Sequence, residues 1–392
     1  MKTTFPVINF EQISINTFLT DFWQKKPLVI RNALPQFQNI LPADELAGLS
    51  MEEEIESRIV IATPEKAPYW HLKNGPFLEK DYQQLPPTHW TLLVQGLDRW
   101  IPELALLFEY FNFIPQWRVD DLMISYASEH GSVGPHYDNY DVFLYQAQGR
   151  RKWLLTTKHC NEENYMSDVP LRIMQQFDIE EEYILEEGDM LYLPPHVGHY
   201  GIALNNDCMT YSFGYRSYSD RELWDSFGDY CSELGEASIY YKDPNWAVLQ
   251  ETSELPKESW MSAKATLLSL LNDEQKLKLW FGCFATQLDR QAEAALPEPV
   301  SKPLKFFMKK LSQTTELTRH PSVRFAYQLQ DEAPFMTLFI NGCEWNCQNV
   351  SIELMKLVAN QRVIAIDEIQ PWLHQAENQN FLFELWTLQW LS

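Results

Sequence analysis

Two short segments of the sequence carry side chains that could bind one metal ion together. Residues 131–153 contain His136 and Asp138, and residues 188–200 contain His196 and His199. Successive side chains of a strand alternate between its two faces, so His136 and Asp138 point to the same side. Two imidazoles and one carboxylate form the facial triad of non-heme Fe(II) oxygenases, which leaves metal positions open for a cosubstrate and O2. The sequence therefore predicts an iron site whose second histidine is His196 or His199.

An H-x-D pair alone also occurs in solvated turns, so the neighbouring residues must distinguish a metal site from such a turn. Gly131 and Gly134 precede His136, and the apolar residues 142–144 follow Asp138. In the second segment, the Gly-Asp turn at 188–189 leads into a short apolar strand just before the two histidines. Both contexts favour a metal site over a solvated turn.

Arg151 is a candidate anchor for a cosubstrate. In the segment GRRKWLL, residues 149–155, strand alternation places Arg151 on the same face as Trp153 and Leu155. A buried guanidinium is costly to desolvate without a partner, and a ligand carboxylate would pair with it in bidentate geometry. The alternative is an Arg151 on the outer face that pairs with one of the many acidic residues.

Four segments together resemble a known family. They are FWQKKPLVIRNALP, DELAGLSMEEEIESRIV, DDLMISYASEHGSVGPHYDNYDVFLYQAQGRRKW and LEEGDMLYLPPHVGHYGIAL, all within the first 217 residues. The pattern is similar to the cupin-type JmjC ribosomal oxygenases, and most closely to the bacterial branch that hydroxylates an arginine of large-subunit ribosomal protein L-sixteen. Beyond residue 217 the resemblance extends only to the general arrangement.

The resemblance implies a set of site residues and cofactors. His136, Asp138 and His199 would be the ligands of Fe(II), with 2-oxoglutarate and O2 as cosubstrates. Arg151 would bind the distal carboxylate of 2-oxoglutarate, and Ser125 on the preceding strand would add a hydroxyl. No catalytic residue beyond the metal centre is implied. The family usually has glycine where this chain has His196, which leaves a second imidazole near the metal.

The activity implied is hydroxylation of an arginine β-carbon on L-sixteen. Within the same superfamily the alternatives are a histidyl hydroxylase that acts on another ribosomal protein and an N-methyl demethylase. An alternative from another class is a non-catalytic metal-binding adaptor in ribosome assembly. Intact His136, Asp138 and Arg151 argue against the adaptor. Asp120 and Asp121 either cap a turn or hold a cationic substrate side chain.

Composition narrows the partners and the compartment. A net charge of −23 disfavours direct binding to nucleic acid phosphates and favours basic partners such as ribosomal proteins, although acidic surfaces also serve solubility. Six cysteines without a C-x-x-C pair predict reduced thiols rather than a zinc ribbon or a disulfide scaffold. No apolar run approaches the roughly 18 residues of a membrane span, and the first residues lack an apolar signal core. These features predict a cytoplasmic protein.

The expected fold is mixed α/β with three parts. By the resemblance, residues 1–217 would form a JmjC double-stranded β-helix, a cupin-like jelly roll; residues 218–296 would form a helical module; and residues 297–392 would form a winged-helix-like domain. The capping box Ser219 to Glu222 opens a helix, and in the resembling family this module forms a homodimer. Asn341-Gly342 predicts a hairpin. Residues 11–23, 46–57 and 88–106 are predicted to be helical or partly helical, and 161–183 to be a connection.

Overall fold

The computed structural model describes residues 7–11, 13–65, 69–167, 169–244, 253–329 and 335–392. Within these described residues, twelve strands build the first part of the chain. They are β1 Leu28–Ile30, β2 Ser57–Ala62, β3 Trp70–Asn74, β4 Trp90–Val94, β5 Val119–Ala127, β6 His136–Tyr137, β7 Asp141–Gln148, β8 Arg151–Thr156, β9 Glu181–Leu185, β10 Met190–Leu193, β11 Gly198–Ala203 and β12 Cys208–Tyr215.

The twelve strands form two antiparallel sheets. The larger has the order β1-β10-β7-β12-β5-β4-β2-β3, and the smaller has the order β6-β11-β8-β9. Side chains from both sheets line one cavity, so the sheets face each other across it. This is the double-stranded β-helix that the sequence predicts, extended at one edge by β4, β2 and β3.

Alternation along the central strands separates the core from the cavity. In β12 the residues Tyr211, Phe213 and Tyr215 enter an aromatic core, whereas Thr210 and Ser212 line the cavity. The strands β5 and β7 alternate in the same way. One face of the larger sheet therefore forms the aromatic core, while the cavity face carries polar groups on β5 and β12 and the apolar Val142 and Leu144 on β7. Burial of the aromatic face holds the sheet in register and thereby aims the second face at the cavity.

The helical segments before β5 correct two predictions. Residues 90–94 lie in β4, in the interior of the larger sheet, so the helical prediction for 88–106 is wrong there. A short apolar run does not distinguish a buried strand from a buried helix. The predicted helix at 46–57 begins earlier and ends at Leu49. The helices of this region are α1 Ile15–Thr17, continued by a π-helical turn Phe18–Phe22, then α2 Ala43–Leu49, α3 Glu79–Gln83 and α4 Pro102–Ala105. Gln12, within the helix predicted at 11–23, lies outside the described residues.

In the described residues, four helices follow β12: α5 Asp220–Glu233, α6 Lys257–Leu271, α7 Glu274–Thr286 and α8 Arg290–Ala294. The predicted capping box is present, since Ser219 Oγ accepts from the Glu222 amide at 3.1 Å and Glu222 Oε2 accepts from the Ser219 amide at 2.7 Å. Gly282 of α7 lies directly against the ring of Phe339. The helical module is therefore packed on the C-terminal part. Among the described residues, no helix is both long and apolar enough to span a membrane.

The C-terminal part has its own hydrophobic core and two small antiparallel sheets. Asn341-Gly342 forms the predicted hairpin between the strands Met336–Ile340 and Cys343–Trp345, with Asn341 at a φ of 50° and Gly342 at 83°. The elements are α9 Leu304–Leu311, β13 Glu316–Thr318, β14 Phe325–Leu329, β15 Met336–Ile340, β16 Cys343–Trp345, α10 Ile352–Asn360, β17 Val363–Ala365, α11 Ile366–Ile369 and α12 Ala376–Thr387.

Candidate active site

His136, Asp138 and His199 form a metal-binding group at the end of the smaller sheet. His136 lies in β6 and pairs directly with His199 of β11, and Asp138 follows two residues later on the same face. One potential ligand atom from each of the three side chains lies within 4.8 Å of the others. Strand pairing thus brings together residues that are more than sixty positions apart in the sequence.

Backbone carbonyls orient both imidazoles of this group. His136 Nδ1 lies 2.9 Å from the Gly134 carbonyl oxygen, and His199 Nδ1 lies 3.1 Å from that of Val197. Because a carbonyl only accepts, each Nδ1 must carry the proton, and each Nε2 lone pair is left for a metal. Burial, followed by the charge of His136, lowers the pKa of His199 to about 4. His199 is therefore neutral at physiological pH, as a metal ligand must be.

Arg151 points inward, as strand alternation predicts. Its side chain is 3% exposed and its guanidinium lies 5.7 Å from the centroid of the Trp153 ring. Its Nε and Nη2 atoms are inaccessible to solvent and have no hydrogen-bond partner among the described residues. A buried cation without hydrogen-bond partners destabilises the folded protein unless an anion binds to it.

Two hydroxyl groups of the larger sheet line the same cavity as Arg151. Ser125 of β5 lines the cavity, and Thr210 of β12 lies directly opposite it in the strand register. Sequence reasoning named Ser125 but missed Thr210. The signal was present in residues 208–215, where small polar residues alternate with aromatic ones, because this pattern is typical of a strand between a core and a polar cavity.

The cavity between the sheets has a volume of about 690 Å³. The three metal-binding side chains, Arg151 and Ser125 all line it, which makes it the place where these groups can act on one ligand. Its wall also carries Asp121 and Tyr140. The donor set of two imidazoles and one carboxylate suits a divalent first-row metal, and the unpartnered Arg151 suits a ligand carboxylate. The residues therefore fit both Fe(II) and a dicarboxylate cosubstrate.

His196 does not join the metal-binding group. Its side chain is exposed, its φ is 63°, and its amide donates to the Asp138 carbonyl oxygen at 2.8 Å. A positive φ is the conformation that glycine adopts without penalty, which explains why glycine suits this position. The backbone of His196 supports Asp138, while its imidazole stays outside the site.

Replacing His196 with glycine is expected to raise the free energy of unfolding by about 0.5 to 1 kcal/mol, because the left-handed conformation no longer carries a Cβ. Urea denaturation would measure the change, and metal titration would serve as the control for an intact site. A loss of stability would show that the imidazole makes contacts that outweigh the backbone strain.

Comparison with protein families places two domains on this chain. The JmjC domain family matches residues 106–223, and the ROXA-like winged helix family matches residues 269–392. The first match includes every site residue predicted from the sequence. The second begins within α6, in agreement with the packing of α7 on the C-terminal sheet.

Named relatives and solved structures are both similar to this chain over most of its length. The ribosomal protein uL16 3-hydroxylase of Escherichia coli is 38% identical over 299 residues, which are 74% of this chain and 77% of that protein. A probable ribosomal oxygenase of Haemophilus influenzae is 38% identical over 67% of this chain and 65% of its own length. The structure of YcfD, a ribosomal oxygenase from E. coli in complex with cobalt and 2-oxoglutarate, has a TM-score of 0.81 at 29% identity and covers 98% of this chain and 99% of that one. The chain therefore belongs to the JmjC ribosomal oxygenases, a family of 2-oxoglutarate-dependent dioxygenases.

Proposed function

We propose that this protein is an Fe(II)- and 2-oxoglutarate-dependent hydroxylase of an arginine β-carbon in large-subunit ribosomal protein uL16. The proposal rests on one observation. A single cavity contains a group of two histidines and one carboxylate together with a buried Arg151, whose Nε and Nη2 have no partner among the described residues. The name of the E. coli relative, a uL16 3-hydroxylase, supports this substrate and position.

In this proposal His136, Asp138 and His199 hold the iron, while Arg151 and Ser125 hold the far carboxylate of 2-oxoglutarate. Bound iron and 2-oxoglutarate supply the oxidative chemistry that places one oxygen atom of O2 on a substrate carbon and releases succinate and CO2. The protein orients the bound groups and excludes water from the cavity. Trp153, Val142 and Leu144 give the cavity apolar walls, which exclude water from the reacting carbon.

We assign recognition of the substrate guanidinium to Asp121. Its buried carboxylate lines the cavity, and Oδ2 accepts from Gln95 Nε2 at 2.6 Å and from the Gly96 amide at 3.0 Å. The hydrogen bonds among the described residues use only Oδ2, so Oδ1 is left for a further donor. An oriented carboxylate in a low-dielectric cavity suits a cationic side chain. Asp121 thus holds the turn at Gly96 through Oδ2, and the assignment gives the substrate guanidinium to Oδ1.

Replacing Asp121 with asparagine is expected to raise the KM for a uL16 peptide about tenfold or more, by loss of a charge-assisted hydrogen bond. Burial, followed by the negative charges of Asp120 and Asp98, raises the pKa of Asp121 to about 7. Below this pKa the carboxyl is neutral, so the KM of the wild type should fall as the pH rises through it. The profile of the variant should be flat, and steady-state succinate release at several pH values would measure both.

A peptide in which citrulline replaces the arginine provides the matched control, because citrulline is neutral but similar in shape. It should bind the wild type weakly and should lose nothing further in the Asp121→Asn variant. Equal losses for the arginine and citrulline peptides would contradict the assignment of Asp121.

We propose further that the helical module forms a homodimer. All fifteen residues of α6 are at least partly exposed, although the helix carries several large apolar side chains. Trp260 of α6 is 56% exposed and Trp224 of α5 is 53% exposed. Several large exposed apolar side chains on one helix favour a protein interface. We assign protein contact, rather than nucleic acid binding, to the C-terminal part as well.

Replacing Trp260 with glutamate is expected to convert a dimer into a monomer, because a buried charge without a partner is unfavourable at an apolar interface. Light scattering coupled to size-exclusion chromatography would measure the mass. Glu258→Gln, on the same helix, is the control that should leave the mass unchanged. A wild type that is monomeric at micromolar concentration would contradict the proposal.

Anaerobic loading with Fe(II) and 2-oxoglutarate, followed by O2 and uL16 fragments, tests the function directly. We expect succinate release coupled to a gain of one oxygen on an arginine of the peptide. Oxidation of a histidine peptide from another ribosomal protein would favour the histidyl hydroxylase, and formaldehyde release would indicate demethylation. If the protein neither binds the cosubstrate nor turns over any peptide, the result would favour the adaptor.

A ribosomal substrate supports a cytoplasmic location, which we include in the proposal. We also retain domain boundaries near residues 217 and 296. The first lies just after β12, where the last strand of the larger sheet ends. The second lies just after α8, although the winged-helix family match already begins at residue 269. Expression of residues 1–217 alone would test the first boundary by its solubility and its cooperative unfolding.

A further inference from the structure

A second cavity lies at the boundary between the oxygenase part and the C-terminal part. Its volume is about 30 Å³, which is space for one small ion or for one or two water molecules. The oxygenase part contributes Arg99 and Asp120 to its wall, and the C-terminal part contributes Arg319, Arg324 and Arg362. Four arginines from separate positions of the sequence therefore line one small cavity.

Three of these arginines have polar atoms that the protein itself does not satisfy. Arg319 is 3% exposed and Arg362 is 7% exposed. The Nε of Arg319, the Nη1 of Arg324 and the Nη1 of Arg362 are inaccessible to solvent and lack a hydrogen-bond partner among the described residues. The remaining groups of Arg319 donate to Gln116 Oε1 at 2.7 Å and to the Ala359 carbonyl oxygen at 2.9 Å, so its side chain is held in place.

The nearest carboxylates compensate these charges only in part. Glu109 Oε1 is 3.7 Å from Arg362 Nε, a distance beyond a good hydrogen bond. Asp98 lines the cavity, but its Oδ1 already accepts from the Leu122 amide at 2.7 Å, and burial raises its pKa. Both acids are buried and face the arginines from the oxygenase part.

Two further acids of the region pair with Arg99, one of the four cavity arginines, and with Arg216, which does not line the cavity. Asp120 Oδ1 is 2.9 Å from Arg216 Nε, and Asp289 Oδ2 is 2.7 Å from Arg99 Nη2 and 3.4 Å from Arg216 Nη2. Arg324 reaches Asp120 only through the backbone, since its Nη2 donates to the Asp120 carbonyl oxygen at 2.9 Å. The positive charge of the cavity therefore exceeds what its carboxylates balance.

Burial and neighbouring positive charge lower the pKa values of two of these arginines. Burial, followed by the charge of Arg362, lowers the pKa of Arg319 to about 9. Burial, followed by the charge of Arg216, lowers the pKa of Arg324 to about 10. Both groups remain charged at physiological pH and repel their neighbours, and an anion at their centre would relieve this repulsion.

We propose that this cavity binds one small inorganic anion, which joins the C-terminal part to the oxygenase part. Guanidinium groups bind oxyanions through parallel N–H donors, so phosphate or sulfate suits the three unsatisfied nitrogens. Ser322 Oγ, which lines the same cavity and has no partner among the described residues, adds a hydroxyl donor. An anion that binds only the folded protein stabilises it by mass action.

The test is thermal unfolding of the full-length chain at constant ionic strength. Sodium gluconate serves as the starting salt because its anion is too large for the cavity, and phosphate, sulfate or chloride replaces it stepwise. We expect a saturable rise in the melting temperature with at least one of the three. Arg324→Gln should weaken the apparent affinity at least about tenfold. Arg216→Gln is the matched control, since Arg216 lies at the same boundary with two carboxylate partners but does not line the cavity, and it should retain the saturable rise.

A rise that stays linear, or that saturates identically in the wild type and in Arg324→Gln, would overturn the proposal, because it would indicate a general salt effect. If Arg324→Gln fails to fold, crystals of the wild type soaked in selenate or bromide decide the question. An anomalous peak between Arg319, Arg324 and Arg362 would support the site, and its absence at saturating concentration would overturn it. Neither result depends on the activity toward uL16.

Discussion

Replacing His136 with alanine is expected to abolish oxygenation and to weaken metal binding at least about a hundredfold. The substitution removes one of three ligands and leaves His199 and Asp138, whose Nε2 and Oδ2 atoms lie 3.6 Å apart. A two-ligand remnant does not define the facial arrangement that keeps positions open for cosubstrate and O2. Anaerobic titration calorimetry with Fe(II), or Co(II) absorbance, would measure affinity, and succinate release would measure turnover.

The matched control is His196→Ala, which removes an imidazole only three residues from His199. Its metal affinity and turnover should match those of the wild type, because the His196 side chain is exposed and lies outside the metal-binding group. If instead His196→Ala lost the metal while His136→Ala retained it, the ligand set would have to be redrawn.

Replacing Arg151 with methionine should have two opposite effects. Without 2-oxoglutarate, the free energy of unfolding should rise by about 1 kcal/mol or more, because an unpartnered buried cation gives way to an apolar side chain of similar length. The requirement for 2-oxoglutarate should rise at least about tenfold, because a charge-assisted contact is lost. Thermal unfolding with and without 2-oxoglutarate, in the presence of Mn(II), would show both effects in one experiment.

Arg150→Met provides the control for this pair of effects. Arg150 is exposed and precedes β8, so its loss should change neither stability nor the response to 2-oxoglutarate by more than about 0.5 kcal/mol. An Arg151→Met variant that is still stabilised by 2-oxoglutarate as strongly as the wild type would show that another group anchors the cosubstrate.

The alternation of side chains along strands made the centre of the site predictable from the sequence. His136 and Asp138 share a face, as do Arg151 and Trp153, because a strand repeats every two residues whatever it pairs with. The capping box at Ser219 is local in the same sense, since its donors and acceptors lie within three residues. Such features depend on neighbouring residues alone and therefore appear in the sequence directly.

Other features depended on which strands become neighbours. The pairing of β6 with β11 selects His199 over His196, and the left-handed backbone at His196 turns that imidazole away. The pairing of β5 with β12 brings Thr210 opposite Ser125. The strand at 90–94 resembled a helix because its apolar run fits both periods, and only its place inside the larger sheet selects the strand.

The arginine cavity is the clearest case of this difference. Arg99, Arg319, Arg324 and Arg362 have no common spacing in the sequence, and each alone would be taken as a solvated surface residue. Packing of the C-terminal part on the oxygenase part buries them together. Thus the sequence alone determined the chemistry of the metal site and the face of each strand, because these follow from local periodicity. The tertiary structure decided which distant groups share a cavity, because that depends on contacts between elements far apart in the chain.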